Sequence, residues 1–248
     1  MGPPNRRDHK FNVIQMADTK KIVHINFEAY FADAGKMYDT NVESVAKDNG
    51  IYNENVTYGP LAYVVGSKGF YPDVDDAIAG AEVGKEIEVT VPVEKAAGAR
   101  NPKLIELHPA KDFYKAEINP YPGMVVTLNN RQGTVLSVGA GRVKVDFNSP
   151  LAGHDLTYKV TVVDEITDPV EKAKAIMEIN FGTSEDFVFA IMEDKIVITE
   201  ADICKFHEAW PVAKYRLVSE YRGVFGVDRI EFVEVWESAK APAAEKTE

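Results

Sequence analysis

Apolar and polar residues alternate along Glu86-Ile-Glu-Val-Thr-Val-Pro92, with Ile87, Val89 and Val91 on one side and Glu86, Glu88 and Thr90 on the other. A period of two predicts a half-buried β-strand. The preceding stretch, from Pro60 to Gly84, reads as strand, turn, short helix and turn. The apolar run from Leu61 to Val65 predicts a buried strand, Gly66 to Gly69 ends it, and Pro72 stands where a helix does not need an N–H. Asp73, Asp75 and Asp76 suit the positive end of that helix, Val74, Ala77 and Ile78 share one face, and Gly80 and Gly84 stop it. So short a helix is unstable alone and must lie on a sheet.

The same patterns organise the rest of the chain. Lys21 to Phe31 is rich in β-branched and aromatic residues and predicts a long strand, Asp33-Ala-Gly35 turns it, and Lys36 to Asp39 begins the return. Residues 41 to 57 are polar and mixed, with loops marked at Asn49-Gly50 and Asn53 to Asn55. After Pro92 the stretch from Ala99 to Tyr114 reads as an irregular or short helical crossing. Tyr121 to Leu128, Gly133 to Val138 and Arg142 to Phe147 predict three strands of a meander. Leu151 to Asp164 then returns to the first sheet, with Leu156, Tyr158, Val160 and Val162 on one face, so the meander is an insertion. Asp168-Pro-Val-Glu171 opens a helix running from Val170 to Asn180, and Phe187 to Met192 with Lys195 to Thr199 form a hairpin across Glu193-Asp194. Pro211 to Arg222 predicts an amphipathic helix with Val212, Tyr215, Val218 and Tyr221 on its buried face and Gly223 as its stop, before a last strand from Arg229 to Trp236.

This pattern predicts an α+β fold: an antiparallel β-sheet wrapped on a short helix, interrupted by a small all-β insert and followed by an independent α+β C-terminal domain. The expected boundaries are a disordered lead at 1–17, the sheet domain at 18–98 plus 151–166, the insert at 99–150, the C-terminal domain at 167–237 and a disordered tail at 238–248.

Composition narrows the function. The net charge of -11 and a pI near 5.0 argue against a nucleic-acid or anionic-membrane binder, which needs surplus Lys and Arg to neutralise phosphate. No run of about 18 apolar residues occurs to span a bilayer. Arg6-Arg7 precede no apolar core of an export signal, and Met16 stands where a natural start would suit the first strand. Asn55-Val-Thr57 matches a glycosylation sequon, which has no use without export. Cys204 is alone, in an apolar setting, and suits a reducing cytoplasm. His9, His24, His108, His154 and His207 are dispersed, so neither a metal site nor a cofactor is expected. Gly80-Ala-Glu-Val-Gly84-Lys85 lacks the spacing and the Ser or Thr of a phosphate loop.

One resemblance is specific. The run PLAYVVGSKGFYPDVDDAIAGAEVGKEIEVTVP, preceded by HINFEAYFADAGKMYDT and followed downstream by LAGHDLTYKVTVV, resembles the FKBP-type peptidyl-prolyl isomerases, and more narrowly their SlyD-like branch with a domain inserted in the flap. The likeness covers roughly Lys20 to Glu165. It implies rotation about X-Pro bonds of unfolded or nascent protein clients, with chaperone activity from the insert. The implied catalytic wall is Phe27, Tyr38, Leu61, Phe70, Tyr71, Val74 and Tyr158, with Asp39 as its polar member. The implied substrate contacts are Ala97 and Leu151 near the rim, and Tyr121, Met124, Val126, Leu128, Val135, Leu136 and Val138 on the insert. No nucleic-acid or membrane partner is implied, and the C-terminal domain is left for a partner contact or self-association.

Taken as residues alone, Phe27, Leu61, Val74 and Tyr158 also suit any core, and Asp39 suits a turn cap. Phe70 and Tyr71 differ, because aromatics between a Gly turn and a helix-starting Pro are costly unless they line something. The chain departs from the family at Ala96-Ala97-Gly98, where the family has Ala-Tyr-Gly with a tyrosine that bonds substrate backbone. The His- and Cys-rich tail common in SlyD-like proteins is also missing. The alternative reading is therefore a catalytically weak or inactive holdase or assembly factor on the same fold.

Overall fold

The computed structural model describes residues 20–236; the expected lead, the Met16 start and the expected tail lie outside them. In chain order the first elements are β1 (Ile22–Phe31), β2 (Lys36–Thr40), α1 (Glu43–Asp48), β3 (Leu61–Val64), α2 (Pro72–Ala79) and β4 (Glu86–Val91). There follow β5 (Ile105–Pro109), α3 (Ala110–Lys115), β6 (Val125–Leu128), β7 (Arg131–Gly139), β8 (Arg142–Asp146) and β9 (Leu156–Glu165). The remainder is α4 (Pro169–Phe181), β10 (Val188–Ile191), β11 (Lys195–Thr199), α5 (Trp210–Phe225) and β12 (Arg229–Val233). The fold is α+β, as the patterns predict.

One sheet has the order β2-β1-β9-β4, with β3 also paired to β1. β4 and β9 run antiparallel, and Tyr158 faces Val89 across them. The expected alternation holds on β9, where Leu156, Tyr158, Val160 and Val162 are all buried. α2 packs at β4 and buries Val74 and Ile78 completely, each worth about 1.5–3 kcal/mol of apolar burial. The polar, mixed stretch 41–57 also contains α1 ahead of its marked loops. Polar side chains with one buried position, Ala46, left too weak a period to read there.

The insert is a four-stranded sheet of order β5-β8-β7-β6, not a three-stranded meander. The missed strand, β5, pairs antiparallel with β8 and ends at Pro109, which opens α3. Its core is Ala110, Phe113, Val126, Val135, Val143 and Val145. A polar clasp closes its base. Arg100 pairs with Asp146, Asn148 N donates to Asp146 Oδ1 at 2.8 Å, and Asn101 N donates to Asn148 Oδ1 at 2.8 Å. Burial alone would raise the Asp146 pKa, but Arg100 and Asn148 together hold it below the usual carboxylate range.

Contacts divide the chain into two compact units. One is Asn26–Pro60 with Lys68–Val162; the other joins residues 20–25, Leu61–Ser67 and residues 163–236. In the second unit the C-terminal segment shares its core with strands of the first sheet. Its core of Ala173, Ile176, Met177, Ile196, Ile198, Leu217 and Tyr221 also takes in Ile22, Val64 and Ile166. Asp168 caps α4 as expected, accepting from Val170 N at 2.9 Å and Glu171 N at 3.0 Å. β10 and β11 form the predicted hairpin, and β12 joins β11 in parallel.

α5 differs from its prediction. It runs past Gly223 to Phe225 and ends on Gly226, whose φ of 67° suits a left-handed C-cap. Its buried side is Trp210, Ala213, Leu217, Tyr221 and Val224, while Val212 and Tyr215 are exposed. Trp210 starts the helix and sets the i, i+3, i+7 phase, and a reading that begins at Pro211 misses it. Cys204 is buried, and burial pushes its thiol up to about 11, which leaves it protonated and unreactive at neutral pH.

Candidate active site

Phe27 lies on β1 with both backbone groups tied to side chains: Thr40 Oγ1 donates to its carbonyl at 2.6 Å, and its N–H donates to Asn41 Oδ1 at 2.7 Å. Asn41 Nδ2 in turn donates to Gly59 O at 2.8 Å, so β1, β2 and the following loop are locked together there. The β1–β2 register pairs Ala29 with Asp39 and then Tyr30 with Met37, which leaves Tyr38 as an extra residue on β2. Such a bulge bends the strand and re-aims a side chain. Met37 is buried; Tyr38 is half-buried and Asp39 is exposed.

From the other side, Phe70 and Tyr71 lead into α2. Tyr71 is the N-cap, in extended backbone, and its carbonyl accepts from Val74 N at 2.9 Å and Asp75 N at 3.0 Å. Pro72 at the first position fixes the chain direction at that step, and Val74 anchors the first turn in the core. Two aromatics are thereby held over the sheet without being buried in it.

These pieces meet at Tyr158. Its ring contacts Tyr38 at 6.4 Å, Phe70 at 5.9 Å and Tyr71 at 6.1 Å between centroids, with interplanar angles of 90°, 89° and 64°. Phe27 meets Phe70 edge-on at 5.4 Å. Edge-to-face pairs of this kind are each worth about 0.5–1.5 kcal/mol beyond burial. The Tyr38 hydroxyl donates to the Tyr158 hydroxyl at 2.7 Å. Burial raises the Tyr38 pKa well above the ordinary tyrosine value, with the Tyr158 hydrogen bond adding to it. Burial also raises that of Tyr158, against the lowering effect of the Tyr38 hydrogen bond. The negative charge of Asp39 adds to both shifts, which puts its carboxylate within electrostatic reach of both phenols.

Structure thus brings together Phe27, Tyr38, Phe70, Tyr71 and Tyr158, with Asp39 at the edge. Val74 supports them from the core. Leu61 is exposed at the start of β3 and belongs to the other compact unit. Ala97 and Leu151 are partly exposed, and Gly98, beside Ala97, accepts a hydrogen bond from Gly153 N at 2.8 Å.

Phe31 and His154 were not among the expected residues. Phe31 lies 5.0 Å from Tyr38 and 4.9 Å from the His154 ring, and His154 Nδ1 is 3.1 Å from Asp33. The signal for Phe31 was the alternation Phe27, Ala29, Phe31 along one strand.

On the insert the expected client contacts divide. Tyr121, Leu136 and Val138 are exposed, Tyr121 by 61%. Met124 and Leu128 are partly buried against the insert core. Val126 and Val135, exposed by only 4% and 1%, are core residues and cannot meet a client, which corrects the expectation for both. Leu107, Tyr114 and Val125 are exposed apolar residues of the insert that were not anticipated.

Comparison with known proteins agrees with this geometry. Residues 15–114 match the FKBP-type peptidyl-prolyl cis-trans isomerase family, residues 106–151 the FKBP26 IF domain, and residues 169–237 the FKBP26 C-terminal family. A short-type peptidyl-prolyl cis-trans isomerase of Methanocaldococcus jannaschii is 34% identical over 153 residues, 62% of this chain and 94% of the relative. A probable FKBP-type 16 kDa peptidyl-prolyl cis-trans isomerase of Pseudomonas fluorescens is 28% identical over 42% of this chain and 72% of its own. An FKBP-type peptidyl-prolyl cis-trans isomerase SlyD of Aeromonas hydrophila is 30% identical over 49% of this chain and 58% of its own length.

Proposed function

This chain belongs to the FKBP-type peptidyl-prolyl cis-trans isomerase family, and on that premise we propose that it divides protein folding between an aromatic site that turns the X-Pro bond and an insert that holds the client. The enzyme is a peptidyl-prolyl isomerase. The observation that carries the assignment of the site is the set of rings centred on Tyr158, with Tyr38, Phe70 and Tyr71 around it and Phe27 behind Phe70.

Rotation about an X-Pro amide breaks no σ bond. Resonance holds the amide planar behind a barrier of about 18–20 kcal/mol, and the unaided exchange takes tens to hundreds of seconds. The planar form is the more polar, so water stabilises it. A proline ring held against aromatic faces loses that water, and the twisted amide is the better bound of the two. Phe27 and Phe70 supply apolar surface, while Asp39 supplies a fixed negative charge at the edge.

The exposed Tyr121, Leu136 and Val138, with Leu107 and Val125, support the holding role of the insert. An apolar surface of this kind binds unfolded or nascent chains weakly and without sequence preference, and tethering it to the site raises the client concentration there. The clients in this reading are proline-containing polypeptides, with neither nucleic acid nor membrane as partner. The buried thiol of Cys204, which needs no oxidising compartment, supports a cytoplasmic location.

Ala97, which has no hydroxyl, favours a second reading in which turnover is weak and holding dominates. Refolding of a proline-limited protein separates the two. Catalytic amounts of the full chain are expected to accelerate it, and a variant with residues 99–150 replaced by a short loop is expected to keep peptide isomerisation while losing most of the acceleration. Equal losses in the two assays would refute the division of labour. Suppression of aggregation with no rate effect would favour the holdase.

A further inference from the structure

The hydrogen bond between Tyr38 and Tyr158 has a direction. Tyr38 donates and Tyr158 accepts, at 2.7 Å. A phenol oxygen can accept one bond and still donate its own proton. Tyr158 is 7% exposed, and its hydroxyl makes no second hydrogen bond among the described residues. Its proton is therefore held in an apolar ring of Tyr38, Phe70 and Tyr71 with nothing to receive it until a ligand arrives.

We propose that Tyr158 is a catalytic residue that donates a hydrogen bond to the prolyl nitrogen as the amide twists, and that Tyr38 is the positioning residue that points this donor. The inference rests on the reading of the aromatic set as the proline site. Its chemistry follows from the amide. In the planar form the nitrogen lone pair is delocalised and accepts poorly, whereas at the twisted geometry it is localised and accepts well. A donor aimed at that nitrogen gains its bond only in the transition state, and so lowers the barrier. A donor on the carbonyl oxygen of the same amide would instead favour the planar form. No proton is transferred, and the bond is lost again as the amide flattens.

Two further observations agree. Ala97 offers no hydroxyl, so the donor has to come from another element. Burial holds the Tyr158 phenol above its ordinary pKa, so it keeps its proton in alkaline solution.

The test is isomerisation of an X-Pro peptide by the full chain carrying Tyr158→Phe, Tyr38→Phe or both, with kcat and KM measured separately. Phe keeps the ring, and melting curves check folding. Tyr158→Phe is expected to lower kcat by up to about tenfold, the worth of one net hydrogen bond, with KM within twofold of the parent. Tyr38→Phe is expected to cost less, the double variant no more than Tyr158→Phe alone, and the parent rate to stay level past pH ~10, where a free phenol ionises. The inference falls if Tyr158→Phe keeps kcat within twofold, if its loss is in KM alone, or if the two single losses simply add. If the parent itself fails to accelerate the peptide, the proline-site reading falls and takes this inference with it; if the parent is active and Tyr158→Phe is too, only the inference falls.

Discussion

Asp39 carries a full charge beside the aromatic set, exposed on the strand whose bulge turns Tyr38 aside. Its negative charge acts on both phenols of the set. Replacing it with Ala is expected to lower peptide turnover by tenfold to a hundredfold, or about 1.4–2.8 kcal/mol, with the melting temperature nearly unchanged. Unaltered turnover in a folded protein would reduce Asp39 to a turn residue. Ala97→Tyr tests the position where the chain departs from its family. Ala97 is partly exposed in a turn beside Gly98, whose own Cβ position is open. The added hydroxyl is expected to raise catalytic efficiency a few-fold to tenfold, for about 0.5–1.5 kcal/mol, and the same peptide kinetics would expose a null result. Phe70 and Tyr71 were legible because local punctuation, Gly before and Pro after, isolates them. The Tyr38–Tyr158 bond was not, because its partners lie 120 residues apart and only the folded sheet sets their hydroxyls together.

Among the elements, adjacent apolar residues defeated the reading of the insert. Val125 and Val126 are both valine, and nothing local says that the first is exposed and the second buried. β5 was missed for a related reason: Ile-Glu-Leu-His-Pro alternates over too few positions, and its Leu107 points outward. The insert also has a position where shape decides. A Cβ at Gly133 on β7 would come within 2.7 Å of both Phe147 Cδ1 and Val145 Cγ1. Gly133→Ala is therefore expected to destabilise the insert by about 1–3 kcal/mol. Acceleration of protein refolding should fall while peptide isomerisation persists, since the aromatic set takes nothing from β7. Parallel loss in both assays would mean that the site depends on the insert for its shape. On α5, by contrast, the helix itself was plain, and it was its ends and phase that were missed, because the Trp210 that sets the phase lies ahead of Pro211.

For the molecule as a whole, order of elements and fold class were readable, but the sharing of a core was not. Periodicity reports which face of a segment is apolar, not which distant segment covers it. Ile22 and Val64 were assigned to the first sheet, and they are in addition covered by the core of α4, α5 and β11. A chain ending at Thr167 would bare these residues. Its melting temperature is expected to fall by several degrees or more, each kcal/mol lost being worth about 2–4 °C at this size. The fraction that stays folded should retain peptide turnover, because Tyr38, Phe70, Tyr71 and Tyr158 belong to the other compact unit. An unshifted melting curve would show that the shared core contributes nothing.

The shared core also sets an order of events at the ribosome. β1 is made well before its sheet neighbour β9, which begins at Leu156, and Ile22 meets its cover from α4 and α5 only once those helices have been made. Synthesis proceeds at about 5–20 residues per second, so that strand waits for several seconds with apolar side chains uncovered. A prolyl isomerase is thus, for those seconds, itself an unfinished chain in need of shelter.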